Sequence, residues 1–401
     1  MSNGAGMRGC ESARTHLSML VIAAALNTVS NTTVLEAQTK LRTGLTGVPA
    51  LSAAYNAVFD ARFDDVPALA ARACGSANAG APPEACQLLD AIAIWWRIQL
   101  DPYNRTRDQQ FVAAADAAIR AAAAWTAREP NRAEAWFYLG GAYGARAQWR
   151  ILRGERLAAA RDGKQIKASL ERAVALDPAM DDAYFALGLY RYYADVAPTV
   201  LKMFRWLLLL PGGDRDAGLA EMLRARRSGQ LVRSEADYQL HVVYLWYEKQ
   251  PHRAVEFLDE LTARHPRNPH FAQAAADILD FYIDDTAASL TRWERLLAAA
   301  GRGAVAEPQM TEIASQLGIA SQLDQLSRSA EALAHLRIVI AAKPRAPHSA
   351  FARAHLQTGQ ALDHLGRRAE ARASYTAAIA AAGADDPFKI ADEARAALRA
   401  Q

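Results

Sequence analysis

The chain has 401 residues, 51% of them hydrophobic and 22% charged, with a net charge of +3. That balance excludes wholesale disorder and collagen-like structure. A charge so near neutral gives no reason to expect a nucleic-acid partner, whose phosphates call for a basic excess. The length allows two or three domains or one elongated repeat array.

Seven lysines stand against thirty-nine arginines. With alanine abundant, this reads as GC-rich bacterial coding, and arginine and alanine both favour helix.

Residues 1–37 read as a secretory signal peptide. Arg8 and Arg14 precede the apolar run from Leu17 to Leu26, and small-residue chemistry puts cleavage after Ala37. The run is too short for a membrane-spanning helix, which needs about 20 residues. The expected location is therefore periplasmic or exported, or cytoplasmic if the leader is not a signal. Its removal takes Cys10 away and leaves Cys74 and Cys86, with eleven residues between them. That pair is either a disulfide in an oxidising compartment or two buried free thiols. Two cysteines and nine scattered histidines give no metal-ligand spacing, so no metal and no cofactor is expected.

From 38 to 130 the periodicity predicts helical hairpins, with helices from Leu51 to Asp60, Asp64 to Ala73, Pro83 to Leu100 and Asp108 to Arg128. Asp101-Pro102 and Glu129-Pro130 act as stops. The region 131–268 carries an internal repeat. Trp136, Leu139, Gly140 and Tyr143 are followed by Ala173 and Asp177-Pro178, and Tyr184, Leu187 and Gly188 restart the pattern. A third copy has Tyr238, Ala254, Leu258, Leu261 and Pro266, with His241-Val242 in place of Leu-Gly. Residues 269–345 keep helical periodicity with few signature residues, broken at Gly301, Gly303 and Pro308. From 346 to 401 the pattern is strong again: Gly359, Ala361, Leu362, Leu365 and Gly366 precede Ala371, Tyr375 and Ala378, and a helix from Phe388 to Ala400 suits a cap.

This pattern resembles the tetratricopeptide repeat (TPR), in which glycine on the first helix lets the second approach closely. The resemblance implies an all-α, right-handed TPR-like helical solenoid with lengthened repeats and one inserted apolar helix. Trp136 and Tyr184 stand 48 residues apart, fourteen beyond a repeat of about 34. Fourteen residues are about four helical turns, so each helix of that pair can lengthen by two turns without changing face. Tyr184 and Tyr238 stand 54 apart, and the 20 extra residues match the segment 194–213. That insertion holds the apolar stretch from Thr199 to Leu210, including Trp206, as a lid, a core element or a membrane contact. Residues 183–225 also resemble, loosely, a TPR family of the outer mitochondrial membrane linked to inclusion-body clearance. Gly188-Leu189-Tyr190, Ala197-Pro198, Gly213-Asp214-Arg215 and Gly218-Leu219 carry that likeness. It implies that an inserted helix is a family feature and nothing about shared function.

No phosphate-binding loop, nucleophile elbow or metalloprotease helix is present in the sequence, so an enzyme is not expected. Gly212-Gly213-Asp214 reads as a tight turn with Asp214 as a helix N-cap. Arg146, Arg150 and Arg153 form a basic stripe, read as a solvated face or as a contact for an acidic partner or anionic headgroups. Seven of the eight tryptophans fall in the first 246 residues.

The TPR resemblance implies that Phe137, Phe185, Leu189, Tyr192, Tyr193, Val243, Trp246 and Tyr247 face a concave groove. The expected function is thus a non-enzymatic protein-binding scaffold or adaptor of the bacterial cell envelope, holding an unknown protein or peptide there. The alternative is a periplasmic component of a transport system that binds a small hydrophobic ligand, in which a sealed pocket replaces the open groove.

Overall fold

The computed structural model describes residues 44–75, 80–196 and 213–400. The proposed leader, 1–37, and the apolar stretch from Thr199 to Leu210 lie outside the described residues. Seventeen α-helices and one short 3-10 turn make up the described secondary structure, with no strand among the described residues. The fold is all-α and TPR-like.

The chain divides into two compact units. The first takes its described residues from 44–97 and 106–240. It holds α1 (Val48–Phe59), α2 (Val66–Cys74), α3 (Pro83–Gln99), α4 (Asp108–Arg128), α5 (Ala133–Leu152), α6 (Arg156–Leu176), α7 (Ala183–Val196), α8 (Arg215–Ser228) and α9 (Arg233–Trp246), the ends of α3 and α9 passing into the second unit. The second is built from 98–105 and 241–400. It holds α10 (Pro251–Arg264), α11 (Pro269–Phe281), α12 (Thr286–Gly301), α13 (Pro308–Gln325), α14 (Ser329–Ala342), α15 (Ala350–His364), α16 (Arg368–Ala382) and α17 (Ile390–Arg399).

Within the first unit the lengthened repeat is real. Helices α5 and α6 run 20 and 21 residues, against 15 each for α15 and α16. They are longer by five and six residues, about one and a half turns each. Helices α7 and α8 cross backbone to backbone: a Cβ on Gly188 would lie 2.6 Å from the Gly218 carbonyl oxygen, and one on Gly218 equally close to that of Gly188. The Asp214 side chain accepts the Ala217 N–H at 2.9 Å and starts α8, as an N-cap does.

In the second unit the segment 98–105 is fastened by two contacts. The Asp101 carboxylate accepts the His348 backbone N–H at 3.0 Å, and Tyr103 meets Phe388 edge-on at 4.9 Å. Residues 269–345, poor in signature, nevertheless use the same packing device. Gly318 on α13 sits under the buried indole of Trp293 on α12, 2.4 Å from where its Cβ would be. Gly359 on α15 faces Tyr375 on α16 in the same way, also at 2.4 Å.

Replacing Gly359 should therefore be costly even though alanine is the better helix former. Gly359→Ala is expected to destabilise by about 1 to 2 kcal/mol, overpacking against Tyr375 outweighing the propensity gain. Urea unfolding of the second unit's tryptophan signal checks this; an unchanged or raised midpoint would sink the packing argument.

Candidate functional site

The sequence places an aromatic face on the inward sides of α5 and α7, and that face cannot stay in water without cost. The structure covers it with the chain's own first helices. The backbone N–H and hydroxyl of Thr46 both donate to the Glu134 carboxylate, at 2.7 and 2.8 Å, and the Gly44 N–H donates to Asp177 at 2.7 Å. Just behind these anchors, Tyr55 and Phe59 of α1 and Leu88, Ile92 and Trp95 of α3 come to face α5 and α7. Trp96 is fully buried between Phe59, at 4.7 Å, and Tyr238, at 4.9 Å.

What remains between them is a cavity of about 150 Å³. Four of the expected groove residues, Phe137, Phe185, Leu189 and Tyr193, line it together. Tyr192 does not join them: it is wholly buried, with its backbone against Gly218 and its ring edge-on to Tyr193. Val243 is buried in the second unit, and Trp246 and Tyr247 are half-buried there.

Protein cores are close-packed, so a space of about 150 Å³ has a cause in the side chains around it. Glycines make that space. On α5 a Cβ at Gly140 would strike Leu170 and one at Gly141 would press on Leu88, whereas one at Gly144 would meet nothing within 4 Å. Packing thus explains the first two and leaves the third unexplained, although glycine inside a helix costs up to about 1 kcal/mol relative to alanine.

The polar groups in the wall gather at the start of α9. Asp182 accepts the N–H groups of Gln230, Leu231 and Val232 at 2.8, 2.7 and 3.0 Å. Glu235 receives the Gln148 and Gln239 amides at 3.3 and 3.5 Å. Burial pushes both carboxyls above their ordinary range, those hydrogen bonds opposing it. Tyr55 is pushed up as well, first by burial and then by the nearby charges of Asp182 and Glu235.

The basic stripe is neither a solvated face nor free for a partner. Arg146 bonds Asp162 and Asp116, each at 2.6 Å, Arg150 shares Asp162 at 2.7 Å, and Arg153 forks onto Asp108 at 2.8 Å through two nitrogens. Asp162 is almost fully buried. Desolvation lowers the Arg146 pKa, but its bonds to Asp162 and Asp116 outweigh that and hold it raised. The aspartates come from α4 and α6, sequence-distant from the stripe, so the stripe alone could not announce its partners.

Cys74 and Cys86 stand at bonding distance, 2.09 Å between sulfurs. Among the described residues no group of three histidine, cysteine or acidic side chains could hold a metal ion, and no helix is long and apolar enough to cross a membrane.

No family model and no curated protein matches the chain. Among solved structures it is similar to the APC/C hetero-tetramer Cut9-Hcn1, with 11% identity and a TM-score of 0.48 over 87% of this chain and 55% of that one. It is also similar to yeast Tom70, with 15% identity and a TM-score of 0.39 over 79% of this chain and 64% of that one. The chain thus spans less than two thirds of either neighbour, and the reading of the fold rests on its own hairpins.

The Arg146 cluster yields a direct test. Arg146→Met leaves a buried aspartate short of a partner and should cost about 3 kcal/mol, whereas Arg146→Met combined with Asp162→Leu should recover at least half of that. Chemical denaturation of the three proteins distinguishes this from a surface stripe, for which the single substitution would be nearly silent.

Proposed function

We propose that the chain is a non-enzymatic scaffold of the bacterial cell envelope that holds a segment of a partner protein on an aromatic surface of its second unit. Phe281, at the end of α11, carries the reading: it is 54% exposed. Its neighbour Tyr282 lies 5.9 Å from the half-buried ring of Trp246, with Tyr247 next in the chain. Half-buried aromatics around an exposed one are the composition of binding hot spots, where rigid rings lose little entropy on contact. Of the residues expected in the groove, Trp246 and Tyr247 keep partial access to solvent in this unit.

The Cys74–Cys86 pair supports an oxidising compartment, as does the arginine-then-apolar leader of the sequence. Peptide mass analysis without reduction, on protein taken from its native compartment, should show the two cysteines joined. Two freely alkylated thiols would refute the envelope location.

Phe281→Ala is expected to change stability by less than about 1 kcal/mol because the ring is already exposed, and to cut partner retention about tenfold or more. Immobilised full chain carrying Phe281→Ala is compared with wild type on the same envelope extract. Leu157→Ala, at a still more exposed site on the first unit, serves as control. Equal retention by all three proteins defeats the assignment of this surface.

A further inference from the structure

The cavity of the first unit has a specific chemistry of its own. We propose that it is a binding site for a compact organic cation, an amine carried on an apolar body about the size of one aromatic ring. An apolar cavity of about 150 Å³ takes one benzene-sized molecule. The rings of Trp95, Phe137, Phe185 and Tyr193 are part of its wall, and aromatic rings attract cations through their quadrupoles. Two carboxyl groups, Asp182 and Glu235, also reach it, yet none of the described residues that line it is an arginine, lysine or histidine.

A desolvated carboxylate calls for a counter-charge. Asp182 is held by three fixed backbone N–H groups, whereas Glu235 is held by side chains alone, the Gln148 and Gln239 amides at 3.3 and 3.5 Å and the Trp96 indole, which can rearrange. Glu235 is thus the group a ligand's ammonium would engage, displacing or sharing the Gln148 and Gln239 amides. Burial disfavours the charged form of Glu235, and a cation beside it would restore its ionisation. Gly144 completes the argument. Its position is unfavourable for helix formation relative to alanine and meets no neighbour that a methyl would touch, so what it preserves is room.

Benzylamine and toluene, nearly equal in volume and different in charge, are the probes. Titration calorimetry on the full chain should show one saturable benzylamine site at least about tenfold tighter than toluene, the margin expected of a desolvated cation among aromatic rings and a carboxylate. Glu235→Gln should bring the two probes to within about twofold of each other, and Gly144→Leu, which fills the space, should abolish binding of both. Should Gly144→Leu fail to fold by circular dichroism, Gly144→Ala, which touches no atom, replaces it and should weaken benzylamine about threefold or more. Phe281→Ala must leave benzylamine binding unchanged, which separates this site from the partner surface. Equal affinity for the two probes, no binding of either, or binding untouched by substitution at Gly144 overturns the proposal.

Discussion

The first unit depends on one constraint: the inward face of α5 and α7 is aromatic and has to be covered. Helices α1 and α3 do so, and what seats α1 there is polar rather than apolar. The Thr46 hydroxyl and N–H on Glu134, and the Gly44 N–H on Asp177, fix where α1 enters. Glu134 is fully buried and also paired with Arg132, so it is a rigid acceptor rather than a mobile surface charge. Once α1 is aimed this way, Trp96 can close between Phe59 and Tyr238, and burying an indole of that size contributes more than the anchors themselves.

Covering the face with helices instead of extended peptide has a chemical consequence. A strand or loop laid in a groove brings backbone donors and acceptors that need partners. A helix has spent its own backbone groups internally and presents side chains alone. The space left between α1, α3, α5 and α7 is therefore lined mostly by apolar side chains, with the carboxyl groups of Asp182 and Glu235 by the start of α9. That separation of an apolar body from one polar pole is what a selective small-molecule site needs.

Much of the fold was legible in local spacing. Glycine on one helix opposite an aromatic or another glycine on the next was visible at Gly359 with Tyr375 and, in outline, at Gly188 with Gly218, because the repeat period fixes which residues meet. The two lengthened helices were legible in the spacing of Trp136 and Tyr184. The covering role of α1 and α3 was not, because it depends on contacts such as Thr46 with Glu134, 88 residues apart, for which no period exists. The Arg146 cluster failed in the same way: Asp116 lies 30 residues from it, and the charge pattern of a single helix cannot say which helix will face it. Trp293 and Gly318 show the opposite case, a packing pair that glycine alone marks in a stretch where the rest of the motif is missing.

The three glycines of α5 show how far a residue's meaning can be read before its neighbours are known. Gly140 and Gly141 are in contact distance of Leu170 and Leu88, so the repeat pattern accounts for the first and the covering helix α3 for the second. Gly144 belongs to neither account. It lies on the same helix, in the same conformation, and differs only in what surrounds it. Local propensity argues against all three equally; packing excuses two of them. A residue that violates local preference with no packing reason is where function is to be sought, and here the violation lies in the wall of a cavity that two carboxyl groups reach and that no arginine, lysine or histidine among the described residues lines.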